Sequence, residues 1–297
     1  MKQGILLGEL VKTMSLREAV RTAKESGYAC VELPACDVDG EGELYDPSTA
    51  GELCRWIRDQ GLEVTSLQCH YHRGFGSDLA EPCVDRTIRM LDVAEACGVG
   101  VVNTVSGILT SYNDEQWQRP FDENEAPATE DWARLLASYH RVLYAAAGRS
   151  VRVAIEPVFV YMVANTATMR RFVADLGRDD LAVNYDPSHF PYNDEDGVGF
   201  LREFGDRVVH VHVKDGRVTE ADESAIESRD AWRIRGGRQF GFAPPGQGNL
   251  DWPAVLAALR EIGYDGALTL EMGHGYEGDP VEIARSNLCF FDELLAT

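Results

Sequence analysis

Four apolar runs in the second half of the chain each end in a side chain able to bind a cation or move a proton. VRVAIEP (151–157) ends in Glu156, LAVNYDP (181–187) in Asp186, RVVHVHVKD (207–215) in His212 and ALTLEMG (267–273) in Glu271. Side chains alternate across an extended strand, so Ala154 shares a face with Glu156, Asn184 with Asp186, and His210 with His212. If those faces share one interior, three carboxylates and an imidazole converge. Three buried carboxylates would repel by roughly several kcal/mol, and a divalent cation resolves the conflict. An oxygen-rich set with one imidazole suits Mn2+ first, then Mg2+, Fe2+, Co2+ or Zn2+, and disfavours a sulfur-bound structural zinc. Singly, a strand-end Asp or Glu is as well explained as a turn former or helix cap, and Asp186 before Pro187 suits a turn. Four at the ends of consecutive strands point to a metal centre.

Further candidates lie close by in the sequence. His189 follows Asp186 by three residues, and Lys214, Asp215 and Arg217 follow His212. His70 and His72 end the third apolar run, Glu32 ends the second, Asn103 lies near the end of the fourth, and His274 follows Glu271. His189 reads as a substrate contact; His70 and His72 suit substrate contacts or structural hydrogen bonds equally, and Lys214 a substrate contact or a solvated loop charge. His210 reads as a core histidine lower in the fold.

These residues need a scaffold that brings strand ends together. GILLGEL (4–10), YACVELP (28–34), LEVTSLQCH (62–70) and VGVVNTVSG (99–107) precede the four runs above, and amphipathic stretches alternate with all eight. Helices are predicted over 15–26, 48–60, 82–97, 130–147, 166–176, 199–204, 252–262 and 280–295, several stopped by Gly, the first opened by a Ser15/Glu18 capping box. Continuous apolar runs suit parallel strands buried on both faces. Eight such units over about 250 residues point to a (β/α)8 TIM barrel, a single domain over 1–297, with active-site residues at the C-terminal strand ends. An open doubly wound sheet would carry a Gly-rich phosphate loop after its first strand, and GILLGEL has none. Long loops are expected at 108–129 and 216–250, on the active-site face. The second is rich in Arg, Gly and aromatics (Trp232, Arg233, Arg235, Arg238, Phe240, Phe242) and is expected to cover the substrate.

Composition narrows the function. The 297 residues hold 49 Asp and Glu against 28 Lys and Arg, a net charge of −21. Such a surface repels nucleic acid and anionic membrane, so neither is expected as a partner. The longest apolar runs fall short of the ~20 residues of a membrane span, and the N-terminus does not read as a signal peptide. Seven scattered cysteines without CxxC pairs read as reduced thiols of a cytoplasmic protein.

The segments AIEP (154–157), NYDPSH (184–189), HVHVKD (210–215), PGQGNLDW (245–252) and GYDGALTLE (263–271), in that order, resemble the sugar phosphate isomerase/epimerase superfamily, the xylose-isomerase-like barrels. The likeness is strong over the second half and rests on strand–helix rhythm over the first. That family includes ketose 3-epimerases, hydroxypyruvate isomerase, inosose dehydratase and 3-dehydroshikimate dehydratase, and more distantly endonuclease IV. The resemblance implies a divalent metal held by Glu156, Asp186, His212 and Glu271, with Glu156 and Glu271 as the proton-transfer pair. It also implies substrate contacts from His189 and from Arg217, which here stands one residue closer to the metal histidine than the family spacing. The implied activity is isomerisation or epimerisation of a keto-sugar through a metal-stabilised enediolate. Loss of a β-leaving group from the same enediolate would make a dehydratase or lyase on a keto-sugar, keto-glycoside or inosose, and a non-catalytic sugar-binding barrel is the third reading. GHGYEGDP (273–280) carries no Lys or Arg, so the expected substrate is an unphosphorylated sugar or cyclitol. Endonuclease chemistry would need a larger His-rich metal cluster and a basic groove, which the sequence does not offer. A homo-oligomer is compatible with the sequence.

Overall fold

Eight parallel strands close into a barrel, each followed by a helical segment. The computed structural model describes residues 1–35, 43–71, 73–111, 126–220, 232–234, 237–273 and 276–296. The barrel strands are β1 (Lys2–Leu6), β2 (Cys30–Pro34), β3 (Glu63–Cys69), β4 (Val101–Val105), β5 (Arg152–Glu156), β6 (Ala182–Tyr185), β7 (Val208–Val213) and β11 (Ala267–Leu270). They run around the barrel in chain order, and β11 closes it by pairing with β1 from Lys2↔Ala267 to Ile5↔Leu270. Outside them lie α1 (Gly8–Val11), α2 (Leu16–Ser26), α3 (Pro47–Asp59), α4 (Ala80–Cys97), α5 (Glu130–Ala146), α6 (Thr166–Leu176), α7 (Gly197–Phe204), α8 (Trp252–Glu261) and α9 (Pro280–Leu295). Among the described residues no helix is long and apolar enough to cross a membrane.

Local chemistry explains most helix limits. Ser15 accepts from the Glu18 amide at 3.3 Å while the Glu18 carboxylate accepts from the Ser15 amide at 2.9 Å, the expected capping box. Gly27 ends α2 at φ 109° and Gly98 ends α4 at φ 65°, a left-handed backbone that costs glycine little. Asp46, Asp196, Asp251 and Asp279 cap α3, α7, α8 and α9.

The strands divide their two faces. Val153, Ile155, Val183, Tyr185, Val211, Val213, Leu268 and Leu270 belong to the buried apolar core, each such side chain contributing about 1.5–3 kcal/mol on burial. The intervening positions are polar, and they touch across the barrel. Glu32 on β2 reaches His210 and His212 on β7, and Gln68 on β3 reaches Glu271 beyond β11. β2 and β7 are not neighbours, so only the barrel interior can join them. Two register shifts, at Val31/Glu32 and at Val183/Asn184, stand beside inward polar residues, where bulges re-aim side chains.

Two expectations are corrected. The first apolar run does not stay extended to Leu10: β1 ends at Leu6, and the Val11 amide bonding back to the Leu7 carbonyl closes the α1 turn, burying Leu10. The 216–250 segment is not a plain loop. β8 (Asp215–Glu220), β9 (Trp232–Ile234) and β10 (Arg238–Ala243) form an antiparallel sheet in the order β8-β10-β9, with β8 and β10 paired from Asp215↔Ala243 to Glu220↔Arg238. Of the 108–129 segment, residues 112–125 lie outside the described residues, as do His72, His274, Cys36 and Arg235.

Asp215 ties the inserted sheet to the barrel. Fully buried, its carboxylate accepts from the Gly246 amide at 3.0 Å, the Leu250 amide at 3.2 Å and Trp252 Nε1 at 3.1 Å. Asp215→Ala strands these donors, and buried unsatisfied groups cost about 1–3 kcal/mol each. The expected loss is about 3 kcal/mol of unfolding free energy, read from the midpoint of a urea melt; a change below 1 kcal/mol would show that another group or water takes over the donors.

Candidate metal centre and active site

The C-terminal ends of β5, β6, β7 and β11 bring Glu156, Asp186, His212 and Glu271 together, with one candidate ligand atom from each lying within 4.8 Å of the others. His212 Nδ1 stands 3.0 Å from Glu156 Oε2 and 3.5 Å from Glu271 Oε2. Asp186 serves two ends at once. Its Oδ1 accepts from the Ser188 amide at 2.8 Å and opens the short turn Pro187–His189, so the turn reading is correct. Its Oδ2 is buried and faces the cluster. The Glu271 side chain is 14% exposed, against 0–1% for the other three. Glu271 is therefore the most open of the four.

The cluster is held by amides and cations. Asn184 Nδ2 donates to Glu156 Oε2 at 2.6 Å, and Gln68 Nε2 to Glu271 Oε1 at 3.0 Å. Lys214, directly after β7, places Nζ 2.9 Å from Asp186 Oδ2 and pairs with Glu271 Oε2. His189 Nε2 lies 3.0 Å from Glu156 Oε1 and 3.4 Å from Asp186 Oδ2, while its buried Nδ1 accepts and donates nothing. His70 Nε2 stands 3.7 Å from Glu156 Oε2, too far for a hydrogen bond.

Charge decides the protonation of these groups. Burial opposes ionisation of Glu156, yet the positive field of His212 and hydrogen bonds from His189 and His212 hold its carboxyl well below the usual range. Burial likewise opposes ionisation of Glu271, outweighed by Lys214 and His212. Burial disfavours a charged Lys214, but Asp186, Glu271 and Glu156 push its ammonium well above the ordinary lysine value, so it stays a proton donor. Desolvation dominates at His70 and lowers it, favouring the neutral ring.

Aromatic rings wall one side. Phe159, in the loop after β5, lies 5.4 Å from the His189 ring and 5.6 Å from Phe242. Phe242 on β10 stands 5.6 Å from His189, and Lys214 Nζ sits 4.4 Å over its ring as a cation–π contact. The inserted sheet therefore does deliver a side chain to the site. In the same β5 loop Val160 adopts φ 62°, an outlier for a β-branched residue and strain of the kind found beside functional groups.

One sequence-derived contact is not brought in. Arg217 lies exposed on β8, its guanidinium donating to the Gln247 carbonyl, with Nε at 3.0 Å. Arg217 shares a strand face with Asp215, but at that point β8 has left the barrel for the inserted sheet, where Arg217 pairs with Gly241. Arg238 pairs with Asp194 at 2.6 Å on the outside. Gln68 and the cross-barrel bonds of Glu32 were not foreseen. Their one signal was polar residues placed at inward positions of otherwise apolar strands.

The donor set fits a cation. Three carboxylates and one imidazole, their ligand atoms within 4.8 Å of one another, match a hard or borderline divalent ion such as Mn2+, Mg2+, Fe2+, Co2+ or Zn2+.

A family model described as a xylose isomerase-like TIM barrel matches residues 20–294. The chain belongs to the xylose isomerase-like TIM barrel family. It is 28% identical over 289 residues to the inosose dehydratase of Lacticaseibacillus casei, covering 92% of this chain and 86% of that protein. The crystal structure of the IOLI protein with a binding zinc atom has a TM-score of 0.72 at 18% identity, over 100% of this chain and 98% of that one. The 3-keto-D-glucoside 4-epimerase of E. coli gives 0.70 at 20% identity, over 99% of both chains. At such identities the structural likeness speaks for the fold.

For this member of the family, titration of chelator-treated protein with Mn2+ is expected to saturate near one ion per chain and to raise the melting temperature. At a hundredfold excess over Kd the stabilisation amounts to about 2.7 kcal/mol. Asp186→Asn and Glu271→Gln should each lose most of that rise; a rise unchanged in both variants would place the ion elsewhere.

Proposed function

We propose that this chain is a divalent-metal-dependent enzyme that removes the proton next to the carbonyl of an unphosphorylated keto-sugar or keto-cyclitol. The observation that carries this reading is the meeting of Glu156, Asp186, His212 and Glu271 within 4.8 Å at the active-site end of a barrel. In it these four residues hold the ion, which when bound polarises a substrate carbonyl and its neighbouring hydroxyl.

The protein's own groups do the rest. Glu156 and Glu271, both kept ionised, are the candidate bases, and Glu271 is the more open to an entering substrate. Lys214, kept protonated, offers hydrogen bonds to a substrate oxygen, and the unpaired Nδ1 of His189 and Nε2 of His70 face the same need. Phe159 and Phe242 limit water and offer faces to the C–H side of a sugar or cyclitol ring.

Two fates of the enediolate follow from one first step. Loss of the β-hydroxyl as water is supported by the inosose dehydratase of L. casei, a relative aligned over 92% of this chain. Return of the proton to the same carbon from the other face, or to its neighbour, is supported by the presence of two glutamates in one site. Elimination is the reading put first, and isomerisation or epimerisation of a keto-sugar the second.

Incubation of the Mn2+-loaded protein in deuterated water with inososes, ketoses and 3-keto-sugars tests both. An eliminated enol or dione product supports the dehydratase, and deuterium in recovered or epimerised substrate supports the isomerase. Glu271→Gln is expected to lower turnover by about 10²–10⁴-fold, the usual weight of one acid–base group. Full activity in that variant, or no exchange with any carbonyl substrate, would overturn the proposal.

A further inference from the structure

Beneath the candidate metal centre lies a fourth buried carboxylate, Glu32, to which no role has yet been given. Glu32 and His212 have no exposed surface, and His210 is 2% exposed. Glu32 Oε2 stands 2.7 Å from His212 Nε2 and 3.1 Å from His210 Nε2, and Glu32 Oε1 accepts from Asn103 Nδ2 at 2.7 Å. Ser66 Oγ shares the same nitrogen, His210 Nε2, at 3.2 Å. Four strands, β2, β3, β4 and β7, thus contribute to one polar knot around a single carboxylate.

We propose that Glu32 is a positioning residue that fixes the ring of His212 so that Nδ1, and not Nε2, is offered to the cation. This inference rests on the functional reading above. An ionised carboxylate only accepts, so His212 must donate through Nε2 to Glu32. Nδ1 then faces the opposite side, where without an ion it donates toward Glu156 Oε2 at 3.0 Å, with Glu271 Oε2 at 3.5 Å, and where a bound ion would take the place of that proton. A carboxylate behind a ligating histidine also raises the basicity of the ring, and loss of such a partner commonly costs 10–100-fold in metal affinity.

Glu32, His210 and His212 also bring three donor atoms close enough to hold an ion themselves. This group has a single carboxylate, already met by Asn103 Nδ2 and by both imidazoles, whereas the cluster above it gathers three carboxylates that need a cation. Three donors thus converge on the one carboxylate of Glu32. Burying a carboxylate this deeply is costly unless every lone pair is used, which explains why Asn103 and His210 accompany it.

The test is metal binding by the intact protein, read by the paramagnetic resonance of free Mn2+ and by the visible spectrum of the Co2+ form. Glu32→Gln should bind one Mn2+ per chain with 10–100-fold weaker affinity and shifted Co2+ bands, while keeping wild-type circular dichroism. Glu32→Asp, which restores the charge, should recover part of the affinity. Should Glu32→Gln fail to fold, Asn103→Ala frees one oxygen of Glu32 and should weaken Mn2+ several-fold. Unchanged affinity and Co2+ bands in a folded Glu32→Gln would overturn the inference, as would two ions in the unaltered protein and one in the variant, which would make Glu32 a ligand. Absence of Mn2+ binding in the unaltered protein would instead remove the functional reading on which it rests.

Discussion

Like charge at close quarters governs this molecule. Glu156, Asp186 and Glu271 converge from three strands, and a fourth carboxylate, Glu32, lies beneath them. Water cannot screen them, so the compensation must be built from protein: Lys214, the imidazoles of His189, His210 and His212, and the amides of Gln68, Asn103 and Asn184. Nearly every polar residue inside the barrel is accounted for by that demand. The apolar residues on the opposite face of each strand supply the packing that keeps so much polarity at a fixed distance from solvent.

Parallel strands suit this arrangement because all their C-terminal ends open on the same side. Each strand needs to carry only one reactive residue at its tip, and the barrel multiplies it. The loops then tune the environment. The inserted sheet brings Phe242 to the Lys214 ammonium, and the strained turn at Val160 packs the β5 loop against the end of β4, where the Met162 amide bonds to the Gly107 carbonyl.

Much of this could be read from sequence, for a physical reason. A strand buried on both faces announces itself by continuous apolar residues, and a charged residue at its end stands out against them, so Glu156, Asp186, His212 and Glu271 were visible without coordinates. Helix limits were equally plain where a Ser, Asp or Gly cap carried them, as at Ser15 and Asp279. What stayed hidden depends on contacts between distant strands. Glu32 was seen at a strand end, but its bonds to His210 and His212 cross the barrel and leave no periodic trace. Gln68 was missed because a neutral amide at a strand end draws no attention until its partner is known. β8 and β10 were taken for a loop because Gly216, Gly241 and several charges break the usual apolar alternation. Arg217 was misplaced because spacing along the chain ignores the turn at Asp215 into a new sheet.

The pairing of Asp215 with Ala243 means that the inserted sheet leaves the barrel and returns to it at the same place. Both of its ends are neighbours, locked by a carboxylate that bonds forward to Gly246, Leu250 and Trp252. A segment with coincident ends is a cassette. It can lengthen, shorten or be exchanged without altering the path of β7 or α8, so the ring that covers Lys214 can diversify while the acid cluster beneath it stays constant.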